Sequence, residues 1–175
     1  MEMTCHGRDY ERMAFEIERK FLVVDGAWQQ AVSGESYIRQ AYLTGHDKAS
    51  IRVRIRDNRS ATLTIKSRSA DLKRLELEYE IPVLDAEAML PLRRGSIIEK
   101  RRAIVAVQGH VWEVDTFFGE NIGLVLAEIE LDAVDETFVR PPWIGAEVTS
   151  HASYYNSALA NNPFSAWTDR DHRSA

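Results

Sequence analysis

Charges of one sign recur at every second residue along several segments of this chain, and few folds can accommodate that pattern. Acidic side chains do so in Glu16-Ile17-Glu18, Glu76-Leu77-Glu78-Tyr79-Glu80 and Glu128-Ile129-Glu130, with Val114-Asp115 in a similar setting. Basic side chains do so in Arg52-Val53-Arg54-Ile55-Arg56 and Lys100-Arg101-Arg102, and Leu63-Thr64-Ile65-Lys66 adds a further cation. A strand sends residues i and i+2 to the same face, so each segment sets like charges a few ångströms apart. Like charges at that distance repel unless opposite charge lies between them. A polyanion flanked by divalent cations would satisfy both sets at once.

Periodicity alone leaves open which way the charged face points. A half-buried antiparallel sheet with a charged outer face accounts for any one strand: Ile51, Val53 and Ile55 would be core, and Arg52, Arg54 and Arg56 solvated. The whole collection fits that less well, because outer faces ordinarily mix signs and carry Thr, Ser and Gln. In the alternative, the charged face lines a barrel lumen and helices and loops cover the apolar face.

Composition narrows the partners. The 175 residues suit one domain with a proper core. With 22 basic against 27 acidic residues the net charge is -5, so there is no general attraction to nucleic acid or membrane, and the bases must act locally. A single cysteine, Cys5, rules out an internal disulfide and cannot form a zinc cluster by itself. No apolar run approaches the roughly 18 residues of a membrane span and no signal-peptide core opens the chain, so the cytoplasm is the expected location.

The period is two over most of the chain. Strands are expected at 14–24, 36–44, 49–57, 60–68, 74–83, 97–107, 110–117 and 124–132, with turn chemistry at Asp57-Asn58-Arg59, Gln108-Gly109 and Gly119-Glu120-Asn121. Helical signals are fewer: a helix opened by a capping Asp85, a short candidate over 135–139, and a longer one capped by Thr149 or Ser150 and running through Ala160. Residues 1–12 form an expected disordered extension, with Met13 a candidate natural start. A main domain spans 13–162 and a polar tail 163–175, from which Phe164 and Trp167 can dock. Strands joined mostly as hairpins favour an antiparallel sheet or closed barrel. His46, His110 and His151 are too scattered for a histidine metal site, Trp28, Trp112 and Trp143 look like packing residues, and Arg93-Arg94 a solvated pair.

Phe15-Glu16-Ile17-Glu18-Arg19-Lys20-Phe21-Leu22-Val23 resembles the ExExK signature that opens CYTH-domain proteins, the triphosphate tunnel metalloenzymes. The likeness continues through Gln40-Ala41-Tyr42-Leu43, Arg52-Val53-Arg54, Leu63-Thr64-Ile65-Lys66, Leu75–Pro82, Glu99-Lys100-Arg101-Arg102, Trp112-Glu113-Val114-Asp115 and Ala127-Glu128-Ile129-Glu130. Trp143–Thr149, with Tyr155-Asn156 and Leu159-Ala160, is similar to the end of the small bacterial members, the inorganic triphosphatases. ExExK alone is a weak pattern; all these segments in order are specific.

The resemblance implies a mainly antiparallel β (α+β) fold: an eight-stranded closed barrel whose lumen is a tunnel, flanked by a few helices, including one at the C-terminus. It implies phosphate contacts from Lys20, Arg52, Arg54, Lys66, Lys100 and Arg102, and metal-site carboxylates Glu16, Glu18, Asp115, Glu128 and Glu130. Glu76 and Glu78 complete the acidic lining; Glu80 is an alternative member of that pair, as Arg56 is of the arginine pair. Carboxylates approach phosphate only with a cation between them, and Mg2+ or Mn2+ suits a few carboxylates plus substrate oxygens and water. Lys100 and Tyr42 match the lysine–tyrosine pair that activates water in the small triphosphatases; Lys100 as one more phosphate clamp is the plainer alternative.

The implied activity is metal-dependent hydrolysis of inorganic triphosphate to diphosphate and phosphate. An enzyme on an organic triphosphate (a class IV adenylate cyclase, or a nucleoside or thiamine triphosphatase) and a noncatalytic polyphosphate-binding module remain alternatives. No nucleic-acid or membrane partner is expected, and the oligomeric state is left open, a homodimer included.

Overall fold

A computed structural model of the protein describes residues 17–44, 49–67 and 76–168. The expectations for Glu16, His46, Cys5, the 1–12 extension and the end of the tail lie outside these residues. Nine strands form one sheet: β1 (Ile17–Val23), β2 (Val32–Thr44), β3 (Ala49–Arg56), β4 (Ser60–Ser67), β5 (Glu76–Ile81), β6 (Arg94–Val107), β7 (His110–Phe117), β8 (Val125–Leu131) and β9 (Ile144–Glu147). Their order is β5-β4-β3-β2-β6-β7-β8-β1-β9, and all neighbours are antiparallel. Two helices accompany them, α1 (Val83–Met89) and α2 (Asn156–Asn161).

The hairpin turns follow their residues. Asp57 and Asn58 both take φ near 53°, and Gln108-Gly109 take 45° and 90°. Two successive positive φ values match the right-handed twist of the flanking strands, and Asn, Asp and Gly tolerate them.

The sheet is strongly curled. On a flat sheet Tyr42 of β2 and Lys20 of β1 would lie about 19 Å apart, four strand spacings. Here both line one cavity, together with residues of β3 to β8. The charged face is therefore the inner one. Its apolar reverse is covered in two places. Ala41, Val53, Ile55 and Ala61 pack under Ala86 of α1 and Leu90. Phe21, Val105, Trp112, Val114 and Ile129 pack with Trp28 and Trp143. A third cluster lies on the inner face itself: Ile98, Phe117 and Leu126 meet Val148, Tyr154, Leu159 and Trp167 from the C-terminal segment. That cluster packs under Tyr42, which lines the cavity, and so forms part of its floor.

The structure departs from the expected barrel in identifiable ways. Among the described residues there are nine strands, because Ile144–Glu147 pairs with β1 through Phe21↔Glu147 and Val23↔Ile144. Among the described residues no ladder joins the β5 and β9 edges, so the sheet is not a hydrogen-bonded closed barrel. The 135–139 segment is not helical. Phe138 packs edge-on against Phe21 and Trp112, and the Glu136 carboxylate accepts the Asp132 N–H at 2.6 Å, so tertiary contacts outweigh a weak local preference. Helix α1 begins after Pro82, with Asp85 in its first turn instead of at the cap. The long C-terminal helix is broken into a 3₁₀ turn at Ala152–Tyr154 and the short α2. Thr149 does not cap it: its hydroxyl accepts the Lys20 N–H at 3.0 Å and donates to Glu147 at 2.8 Å, and His151 stands at the start of the 3₁₀ turn. Among the described residues no helix is long and apolar enough to cross a membrane.

Candidate active site

The cavity inside the curl measures about 1340 Å³. Strand alternation brings Glu18 and Lys20 into it from β1, Arg52 and Arg54 from β3, and Lys66 from β4. Glu76 and Glu78 come from β5, Arg102 from β6, and Glu128 and Glu130 from β8. Arg56 and Glu80 instead line a smaller adjoining recess of about 400 Å³, which shares Arg54 and Glu78 with the main cavity.

Its acidic and basic groups pair across strands. The Lys20 ammonium meets Glu128 and lies 2.9 Å from Glu18. Burial opposes that charge, but Glu128 and Glu18 outweigh it and hold the Lys20 pKa above its ordinary value. Arg102 grips Asp115 with both arms of its fork, each at 2.7 Å, and reaches Glu128 at 2.6 Å. Burial works against Glu128 too, yet Lys100, Lys20 and Arg102 around it drive its carboxyl well below the ordinary range. Glu18 faces Glu130, and Glu113 faces Glu128, as direct cross-strand neighbours. Like charges so placed are unfavourable unless cations stand among them.

On the β3–β5 wall Arg52 meets Glu78 at 3.5 Å, whereas Arg54 has no ion-pair partner among the described residues. Thr64 donates to Glu78 at 2.8 Å, Arg52 donates to Thr64 at 3.0 Å, and Lys66 sits 2.8 Å from Glu76. Arg54 donates to the neutral amide oxygen of Gln40 at 3.1 Å. Burial, with Arg52 and Arg102 as neighbours, pushes the Arg54 pKa down to about 10. The Arg52 Nε is buried and has no hydrogen-bond partner among the described residues.

Lys100 and Tyr42 are differently placed. Lys100 is fully buried, its ammonium 2.5 Å from Asp115 and 5.6 Å from the centre of the Phe117 ring. Burial, reinforced by Arg102, lowers its pKa although Asp115 and Glu128 oppose the shift. Tyr42 lines the cavity, and its hydroxyl accepts from Gln40 at 3.4 Å. Burial raises its pKa against the pull of Arg52, Arg54 and Lys20. Among the described residues no hydrogen bond joins Lys100 to Tyr42.

Further groups share the site. Glu113 lines the cavity and pairs with Arg102. The i, i+2 rule that marks Asp115 marks Glu113 as well. Gln40 and Thr64 could be found only as neighbours in register of Arg54 and Glu78. Thr149, Tyr155 and Asn156 reach the cavity from the C-terminal segment. No local pattern announces them, because only the fold of that segment carries them there. Among the described residues no group of three or more acidic, histidine or cysteine side chains stands ready to hold a metal ion. The Asp115 and Glu128 oxygens are turned to Lys20, Lys100 and Arg102.

Comparison with known proteins bears on what such a cavity belongs to. The CYTH domain model matches residues 14–160. An inorganic triphosphatase of Acetivibrio thermocellus is 45% identical over 153 residues, spanning 87% of this chain and 97% of the relative. One from Nitrosomonas europaea is 38% identical over 152 residues, 83% of this chain and 96% of the relative. The solved structure of the inorganic triphosphatase NE1496 superposes with a TM-score of 0.65 at 35% identity, covering 85% of this chain and 95% of that one. The family model spans nearly the whole described sheet and both relatives align over most of their length: this chain belongs to the CYTH domain family.

Proposed function

We propose that the protein is a metal-dependent triphosphatase that hydrolyses inorganic triphosphate to diphosphate and phosphate inside this cavity. The two inorganic triphosphatases at 45% and 38% identity support the substrate. The observation that carries the reading is the arginine pair of β3, of which Arg52 meets Glu78 at 3.5 Å and Arg54 meets no carboxylate among the described residues. Arg54 is buried beside other cations with a neutral amide as its acceptor, and the buried Arg52 Nε lacks an acceptor among the described residues. A bound polyanion supplies what both lack, since phosphate oxygens accept strongly from guanidinium groups.

In this reading Lys20, Arg52, Arg54, Lys66 and Arg102 hold phosphate oxygens. Glu76 and Glu78 fix the basic wall, Thr64 tying Glu78 to Arg52. Glu18, Asp115, Glu128 and Glu130, with Glu16, would hold Mg2+ or Mn2+. The all-oxygen donor set and the like-charged Glu18–Glu130 pair suit a hard divalent cation, though Asp115 and Glu128 must first release the chain's own cations. When bound, the metal supplies charge neutralisation for the phosphate oxygens. Water attacks the terminal phosphorus, the anhydride bond to the leaving diphosphate breaks, and we assign acceptance of the water's proton to Lys100, oriented by Tyr42. We take β1 to β8 as the wall of a tunnel that closes around substrate, and the cytoplasm as the place of action. The test is phosphate release from triphosphate, ATP and thiamine triphosphate, side by side with Mg2+ and with cyclic AMP monitored. Triphosphate should be the preferred substrate; cleavage of ATP alone, or cyclic AMP formation, would overturn the assignment.

A further inference from the structure

Arg102 is the most heavily engaged cation of the cavity. One guanidinium meets three carboxylates: Asp115 through two bonds of 2.7 Å, Glu128 at 2.6 Å, and Glu113. Two of these three belong to the set that would hold metal. Asp115 and Glu128 would turn their oxygens to the ion, and Glu113 is the acceptor then left to Arg102. Glu113 sits two residues before Asp115 on the same strand face, opposite Glu128 in the β7–β8 register. A third acid there adds repulsion that a neutral residue would avoid, and its one ion-pair partner among the described residues is Arg102.

We propose that Glu113 is a positioning residue that anchors the Arg102 guanidinium in the lumen, so that Arg102 can serve substrate phosphate while Asp115 and Glu128 serve the metal. Glu113 touches neither substrate nor metal in this assignment; it acts through Arg102. The distinction matters because a carboxylate in such a cavity would otherwise be taken for one more metal ligand. A carboxylate at that position holds the planar fork in one orientation, whereas an unanchored arginine has several rotamers to lose on binding phosphate. The inference rests on the triphosphatase reading.

The test is a double-mutant cycle with a separate measurement of metal binding. Glu113→Ala should lower kcat/KM for triphosphate about tenfold or more in the wild-type background, chiefly through KM. In an Arg102→Ala background the same change should have almost no further effect, because the residue through which it acts is gone. Mn2+ affinity, read by electron paramagnetic resonance without substrate, should stay within about twofold of wild type. If either alanine variant fails to fold, Glu113→Gln and Arg102→Met carry the same cycle, with the triphosphate-induced rise in Tm replacing kcat/KM where turnover is too slow. A Glu113 effect that persists without Arg102, a parallel loss of Mn2+ affinity, or no effect at all would each overturn the proposal. A wild-type protein that neither cleaves nor binds triphosphate would instead overturn the functional reading, and this role with it.

Discussion

Lys100, fully buried against Asp115, and Tyr42, which lines the cavity, separate two chemical roles, proton acceptor and phosphate clamp. If Lys100 accepts a proton, Lys100→Arg keeps the charge but removes a usable base, since arginine stays protonated. Turnover should then fall about a hundredfold or more while KM changes little, with Tyr42→Phe a milder version; steady-state kinetics decide it. Near-normal kcat with a changed KM would make Lys100 a phosphate clamp. Arg54 makes the complementary case. Its replacement by alanine relieves cation repulsion but leaves the buried Gln40 amide oxygen without the guanidinium donor, each on the order of 1–3 kcal/mol. We expect relief to win, so that Arg54→Ala raises the ligand-free Tm by about 2–4 °C while cutting turnover by orders of magnitude. A lowered Tm would mean that the Gln40 contact matters more. Residues that line the cavity were legible in the sequence where a charge repeats at i, i+2, as with Arg52 and Arg54 or Glu128 and Glu130. Glu113 obeys the same rule beside Asp115. The parts played by Gln40 and Thr149 were not legible beyond their place in the resemblance, because a neutral amide or hydroxyl leaves no periodic trace.

Strands were the readable elements, because hairpin-linked alternation is a local pattern that the curled sheet keeps. Elements defined by what they dock against were not. β9 is four residues long with Gly145 inside it, where a Cβ would approach Val24 to 2.6 Å and the Leu22 carbonyl to 3.2 Å. Only the edge of β1 makes it a strand. The C-terminal segment is likewise shaped by its seat on the cavity floor, with Trp167 5.0 Å from Tyr154 and the Phe164 N–H held by Asn121 at 2.9 Å. Gly95 permits that seat: its φ is 68°, and a Cβ there would lie 2.2 Å from the Ala160 carbonyl oxygen. Gly95→Ala should therefore cost about 2 kcal/mol or more, lowering Tm by roughly 5 °C. Calorimetry checks this, and an unchanged Tm would show that the floor of the cavity does not depend on close approach of α2 to β6.

For the whole molecule, the charges that suit the cavity to a polyanion also link stability to pH. Burial would raise the Glu128 pKa, but Lys100, Lys20 and Arg102 depress it below its ordinary 4.5. A depressed folded pKa means that the unfolded chain takes up the proton first, so this carboxylate stabilises the metal-free protein above about pH 4.5. That contribution is lost as pH falls below 4.5 toward the folded value. Glu128→Gln should lower Tm at neutral pH, by about 3 kcal/mol of stability for a broken buried pair, and flatten the acid limb of a Tm-against-pH curve. An acid limb identical to wild type would remove Glu128 from the linkage. Chelation should abolish turnover and Mg2+ or Mn2+ restore it, whereas full activity in excess EDTA would contradict the carboxylate assignments. The central claim is that the inward-facing charges of the curled sheet form a triphosphate site, and thermal unfolding with and without triphosphate tests it most directly. With Mg2+ present, wild-type Tm should rise with triphosphate concentration as mass action requires, and the rise should vanish in Arg54→Ala. A wild-type Tm that ignores triphosphate, or a shift that survives in Arg54→Ala, would contradict it.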